Sequence, residues 1–155
     1  MRKLDTIIVH HTVTTEYATQ AQVEEMHAKR GISRPGGYHF LLRRDEVNGR
    51  VRVVGLRPVE KVGAHDKGQN TGSIGIALAG DFTRHHLETD TWVALCNLVA
   101  SLKHSFPTIT KVEGHRENEL PNTPTLCPGF PAASLNEVLD GRWPPTPEAD
   151  YTRSL

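Results

Sequence analysis

Residues 73–82, SIGIALAGDF, form a near-continuous apolar run with glycines. A strand that alternates apolar and polar residues has one wet face; a run without alternation reads as a strand covered on both faces. This stretch is therefore expected to be the central strand of a sheet with helices on either side. The segment after it supports that reading. In TDTWVALCNLVASLKHSF, residues 89–106, the side chains of Trp92, Leu95, Cys96, Val99 and Leu102 recur at helical spacing and make one apolar face. Upstream, residues 56–72 show no strong period and read as a long loop, a feature that is often functional in a compact domain.

Working toward the N-terminus, RVRVVG (residues 50–55) and YHFLLRR (residues 38–44) are strand-like, with the hairpin signal Asn48-Gly49 between them. TQAQVEEMHAKRG (residues 19–31) reads as a helix. Thr19 and Gln22 have the spacing of a capping box, and Gly31 stands where a helix-terminating glycine belongs. LDTIIVH (residues 4–10) is short, β-branched and apolar, a buried strand. Toward the C-terminus, KVEGH (residues 111–115) predicts a short strand and PAASLNEVLD (residues 131–140) a short helix. Strands mixed with helices, with a hairpin among them, predict a single α/β domain built on a central mixed β-sheet flanked by helices. The domain is expected over residues 1–142, and the polar, proline-rich residues 143–155 as a loosely held tail.

A chain of 155 residues supports one core. Basic and acidic residues balance at 18 each, so no global charge points to nucleic acid or an anionic membrane. No apolar run approaches the roughly 20 residues of a membrane span. The N-terminus has no long apolar segment or cleavage pattern, which predicts a cytoplasmic protein without a signal peptide. In that compartment, Cys96 and Cys127 are expected in core or metal roles rather than in a disulfide. Nine histidines are many for this length and hint at a site.

Three candidate ligands fall at strand ends. His10 closes the first strand, His115 closes the last, and Cys127 follows twelve residues later between prolines and a glycine. Zinc accepts imidazole nitrogen and thiolate sulfur, and a catalytic zinc keeps three protein ligands and an open position. The spacing alone leaves a second reading open, in which His115 caps a strand and Cys127 is a small buried hydrophobe.

IIVHHTVT, GYHFLLRRD, VGAHDKGQNTGSIGIALAGDF and GHREN…TPTLCPG occur in this order. This set resembles the type-2 N-acetylmuramoyl-L-alanine amidases, among them phage endolysins and the peptidoglycan recognition proteins of animals. The resemblance covers about residues 6–130. It implies the fold of that family, a Zn2+ cofactor, and hydrolysis of the amide between N-acetylmuramic acid and the first L-alanine of the peptidoglycan stem. Carried over residue by residue, it implies that His10, His115 and Cys127 bind the metal and that Tyr38 faces it. Thr125 stands where some members have lysine, which removes a fixed positive charge. Tyr38 and Thr125 are the candidate catalytic donors to the developing oxyanion, each such donor typically being worth ~3 kcal/mol of barrier. His11 is the complication, because one step along a strand reverses the face. The family pattern favours His10 as ligand and leaves His11 behind the site or at the cleft rim.

His65 and Asn70, in the long loop, are candidate contacts for the stem peptide, with a turn role as the alternative for Asn70. His39 should face away from Tyr38 as a satisfied core histidine. Glu117 is expected in a structural ion pair with Arg116 or a lysine, with orientation of a ligand histidine as the alternative. His27, His85, His86 and His104 are expected at the surface and Cys96 in the core. A muropeptide-binding module without catalysis is the competing reading, and the presence of Cys127 argues against it. A Cys127/His115 thiol hydrolase is a third, disfavoured because Cys127 lies before Pro128 and not at a helix start. The expected protein is a monomeric endolysin, made in the cytoplasm and acting on the wall after release through the membrane. An intracellular muropeptide-recycling amidase is the alternative.

Overall fold

A computed structural model describes residues 1–118 and 124–153. The middle of the connection between His115 and Cys127, and the last two residues of the tail, lie outside the described residues. The elements are β1 (Thr6–His11), α1 (Gln20–Ala28), β2 (Phe40–Arg44), β3 (Val51–Gly55), β4 (Ser73–Leu78), α2 (Thr89–Ser105), β5 (Lys111–Gly114), α3 (Asn136–Leu139) and α4 (Asp150–Arg153). The five strands form one sheet in the order β3-β2-β4-β1-β5. β1 runs parallel to β4 and β5, and β2 parallel to β4, whereas β2 and β3 form the antiparallel hairpin. The sheet is mixed, as the sequence predicts, and β4 lies at its centre with all six residues buried.

Parity along the strands divides the core. Ile7 and Val9 of β1, Ile74, Ile76 and Leu78 of β4, and Val112 of β5 pack in one cluster with Trp92, Leu95, Cys96, Val99 and Leu102 of α2. The five apolar residues read as one helix face are therefore the ones that meet the sheet. The other face belongs to α1 and the loops, where Val23, Tyr38, Leu41, Leu56 and Ala77 form a second cluster. Here β4 presents Ser73, Gly75 and Ala77, three small residues whose size leaves room above the sheet for rings.

The ends of α1 are set locally. The Thr19 hydroxyl accepts from Gln22 N–H while the Gln22 side chain accepts from Thr19 N–H, the capping box expected from the sequence. Gly31, at φ +79°, closes the helix with its N–H on Ala28 O, and Ile32 N–H bonds His27 O.

Two expectations are corrected. His27 is buried, not at the surface. It lies four residues after Val23 on the inner side of α1, and its Nδ1 accepts the Gly37 N–H at 2.8 Å. The tail, in its described part, is not loosely held. Ala149 is buried in the main core. Trp92 Nε1–H donates to Pro144 O, Asp150 N–H to Gly129 O, and Tyr151 N–H to Phe82 O. A tail rich in proline and polar residues gave no periodic signal for this anchoring, because backbone carbonyls and N–H groups make most of it. His85, His86 and His104 are exposed and Cys96 is in the core, as expected.

Candidate metal centre

The site is built by strand register. In the parallel pair β1–β5, Val9 lies opposite Gly114, so His10 and His115 leave the two strand ends side by side. Their ring centroids are 4.8 Å apart. The chain then returns: Arg116 N–H donates to Cys127 O at 2.7 Å, which seats the cysteine loop against the residue after His115. One ligand atom from each of His10, His115 and Cys127 lies within 4.8 Å of the others. Two imidazoles and one sulfur at this separation suit a borderline-soft ion such as zinc and leave a position for a further ligand.

His11 points to the opposite face of β1. Its Nδ1 accepts the Phe82 N–H at 3.2 Å, and its ring stacks on Phe82. His11 is among the residues lining the cavity beside His10, but its imidazole is engaged with Phe82 on the opposite face of β1, as strand alternation requires. Its backbone does contribute, because His11 N–H donates to Cys127 Sγ at 3.2 Å. Burial pushes the Cys127 thiol up to about 12, which disfavours a free thiolate nucleophile and the thiol-hydrolase reading.

Tyr38 packs its ring against His10 at 5.1 Å between centroids and against His27 at 4.7 Å. Burial raises its phenol above the usual range, so it remains protonated and able to donate. Tyr38, His10, His115 and Cys127 line a cavity of about 210 Å³. It adjoins a groove of about 440 Å³ bordered by Arg30, Ala64, Asp66, Lys67 and Asn70. Thr125 is half-buried and not among the residues lining the smaller cavity. Its Oγ1 accepts the Cys127 N–H at 3.1 Å, which holds the ligand loop.

The other expected contacts are placed as follows. His65 is buried under His10, with Nδ1 2.9 Å from His10 Nε2. Burial lowers its pKa to about 3. Asn70 Oδ1 accepts the N–H groups of His65 and Asp66 at 2.9 and 3.0 Å, so it closes the turn at the groove edge. His39 is fully buried: Gly75 N–H donates to its Nδ1 and its Nε2 lies 2.8 Å from Lys61 O. Glu117 accepts the Ala132 N–H through Oε1, the structural role expected, although its partner is a backbone amide rather than a cation.

Asp66 was missed. It is buried, with Oδ1 3.5 Å from His115 Nε2 and Oδ2 without a hydrogen-bond partner among the described residues. Burial raises its carboxyl above the usual range, and His115 opposes that shift. A carboxylate behind an imidazole ligand orients it and increases its basicity. The signal was its position beside His65 in the loop, but spacing along a loop does not tell which residue turns inward.

The family model for N-acetylmuramoyl-L-alanine amidases, Amidase_2, matches residues 1–130. No curated protein matches. Among solved structures, the endolysin N-acetylmuramoyl-L-alanine amidase LysCS from Clostridium intestinale URNW is 28% identical, with a TM-score of 0.72, covering 90% of this chain and 84% of that one. The Ph2119 endolysin from the Thermus scotoductus MAT2119 bacteriophage Ph2119 is 27% identical, with a TM-score of 0.71, covering 90% and 86%. Drosophila PGRP-LB, at 23% identity and a TM-score of 0.68 over 93% and 83%, shares the fold. The family model spans most of the chain, and the chain belongs to the N-acetylmuramoyl-L-alanine amidase family.

Proposed function

We propose that this protein is a zinc-dependent amidase that cleaves the bond between N-acetylmuramic acid and the L-alanine of the peptidoglycan stem, and that it serves as a phage or prophage endolysin. The observation that carries the reading is the approach of His10, His115 and Cys127, whose ligand atoms lie within 4.8 Å at the floor of a cleft. His10, His115 and Cys127 would hold a zinc ion, which would supply Lewis acidity toward the substrate carbonyl and a water nucleophilic at neutral pH. The protein's own contribution is positional. The groove past Asn70 and Lys67 receives the stem peptide, and Arg30 and Lys67 place positive charge at its edge. The protonated Tyr38 phenol donates to the carbonyl oxygen as charge develops on it. Thr125 acts through the loop it pins and sets the direction of Cys127. Asp66 holds His115 in orientation.

A non-catalytic binding module is the weaker reading, because the triad is complete. The endolysin role rests on the likeness to two endolysins. Among the described residues no helix is long and apolar enough to cross a membrane. Mass spectrometry of products from purified peptidoglycan, with metal analysis of the same sample, tests the reading. A free L-alanine amino terminus on the released peptides, loss of cleavage with a chelator and recovery with zinc are expected. Chelator-resistant cleavage, or a different scissile bond, refutes it.

A further inference from the structure

Behind His10 lies a chain of polar contacts that its role as a ligand does not by itself require. His10 Nε2 is 2.9 Å from His65 Nδ1. His65 Nε2 is 3.2 Å from Ser73 Oγ. Ser73 Oγ is 2.7 Å from the backbone carbonyl of Gln69. The protons on this chain can be placed from its far end. A carbonyl oxygen only accepts, so the Ser73 hydroxyl proton points to Gln69 O. The Ser73 oxygen then accepts, and His65 Nε2 must carry the proton that it receives. A neutral imidazole has one such proton, so His65 Nδ1 is bare. His10 Nε2 must therefore be the protonated nitrogen of His10, donating to His65. That leaves His10 Nδ1 with its lone pair available, and Nδ1 is the atom that faces Cys127 Sγ, at 3.8 Å.

The surroundings are shaped around the His65 ring. A Cβ added at Gly75 would lie 2.5 Å from His65 Cγ, and one at Gly63 2.6 Å from His65 Cδ2. The ring thus occupies a slot between two backbone segments that only glycine leaves open. Asn70 fixes its entry by accepting the His65 N–H. With both ring nitrogens engaged inside the protein, His65 has none left for a stem peptide.

We infer that His65 and Ser73 are positioning residues that fix the tautomer of His10, presenting its Nδ1 to the metal through a proton-ordered chain anchored on the Gln69 carbonyl. The inference rests on His10 being a metal ligand. The tautomer itself is a property of the metal-free protein, so the two can fail separately. A ligand histidine whose outer nitrogen is held in this way is worth roughly 10- to 100-fold in metal affinity.

The test reads the ring nitrogens of metal-free protein by long-range proton–nitrogen NMR and then measures zinc affinity by chelator competition. Wild type should show His10 and His65 each as the single tautomer protonated at Nε2. Ser73→Ala removes the acceptor without adding bulk. It should give mixed tautomers at His65 and His10 and weaken zinc binding roughly 10-fold. Ser73→Thr, which keeps the hydroxyl, should restore both. If Ser73→Ala does not fold, His65→Phe fills the slot without a nitrogen and should likewise mix the His10 tautomer and weaken zinc. A His10 tautomer and zinc affinity unchanged in these variants, or a loss of thermal stability alone, overturns the inference. Wild type that binds no zinc overturns the metal reading, and the tautomer comparison still decides the role of the chain.

Discussion

His39 offers a perturbation whose size follows from its surroundings. Burial holds its pKa down to about 4, opposed by the bond to Lys61 O and assisted by the Arg2 guanidinium, whose Nη2 is 3.1 Å from Nε2. The geometry explains the direction, because Gly75 N–H points at His39 Nδ1 and a second ring proton would displace that bond. In the unfolded chain the ring titrates near 6.5. The native pKa is the depressed one, so the contribution to stability is complete above about pH 6.5. It is lost progressively as the pH falls toward about 4, because the unfolded state takes up the proton first. Between pH 7 and pH 5 this single group should cost about 2 kcal/mol of folding free energy. Urea denaturation of metal-free wild type and His39→Asn at pH 7, 6 and 5 measures it. The Asn carbonyl can accept the Gly75 N–H but cannot titrate. The variant should be less stable at pH 7, having lost the bond to Lys61 O and ring volume, yet its further drop to pH 5 should be smaller than that of wild type by about 2 kcal/mol. Equal drops in the two proteins, or an NMR titration of native His39 near 6.5, would refute the argument.

Other outcomes follow from the same structure. Cys127→Ser should lose zinc and peptidoglycan cleavage while Cys96→Ser keeps both, measured by metal analysis and product release; the reverse would mean the wrong cysteine has been assigned. His10→Ala should lower zinc content far more than His11→Ala, since the two side chains leave opposite faces of β1, and equal losses would undo the assignment. Leu95→Ala, at a fully buried position between α2 and the sheet, should cost about 2–5 kcal/mol in urea denaturation with little effect on the zinc affinity of the protein that remains folded. Ending the chain after Arg142 should lower the thermal midpoint and weaken zinc binding. It removes Ala149 from the core and the Asp150 carboxylate, which binds Arg116 beside His115 at 2.6 Å. A truncated protein with unchanged melting and metal affinity would show that the segment is dispensable.

The sequence by itself determined the layers. A short unalternating apolar run with glycines reads as a strand covered on both faces, and SIGIAL, Ser73–Leu78, is that strand at the centre of five. The helical period of α2 named its buried face residue by residue, and the capping box and Gly31 set the ends of α1, because these signals depend on neighbours within a few positions. The motif order named the family and the three candidate ligands. What only the tertiary structure decided is which polar groups meet. Asp66 behind His115, His65 and Ser73 behind His10, His27 under the Gly37 loop and the tail on Gly129 and Phe82 are pairings between different elements and loops of the chain. A loop residue or a backbone amide carries no period that tells which way it turns, and a histidine has the same composition whether it binds a metal, supports a ligand or accepts a backbone N–H. The parallel register of β1 and β5 and the fold of the 56–72 loop over the small residues of β4 choose among those roles, and neither is written in any single stretch of the chain.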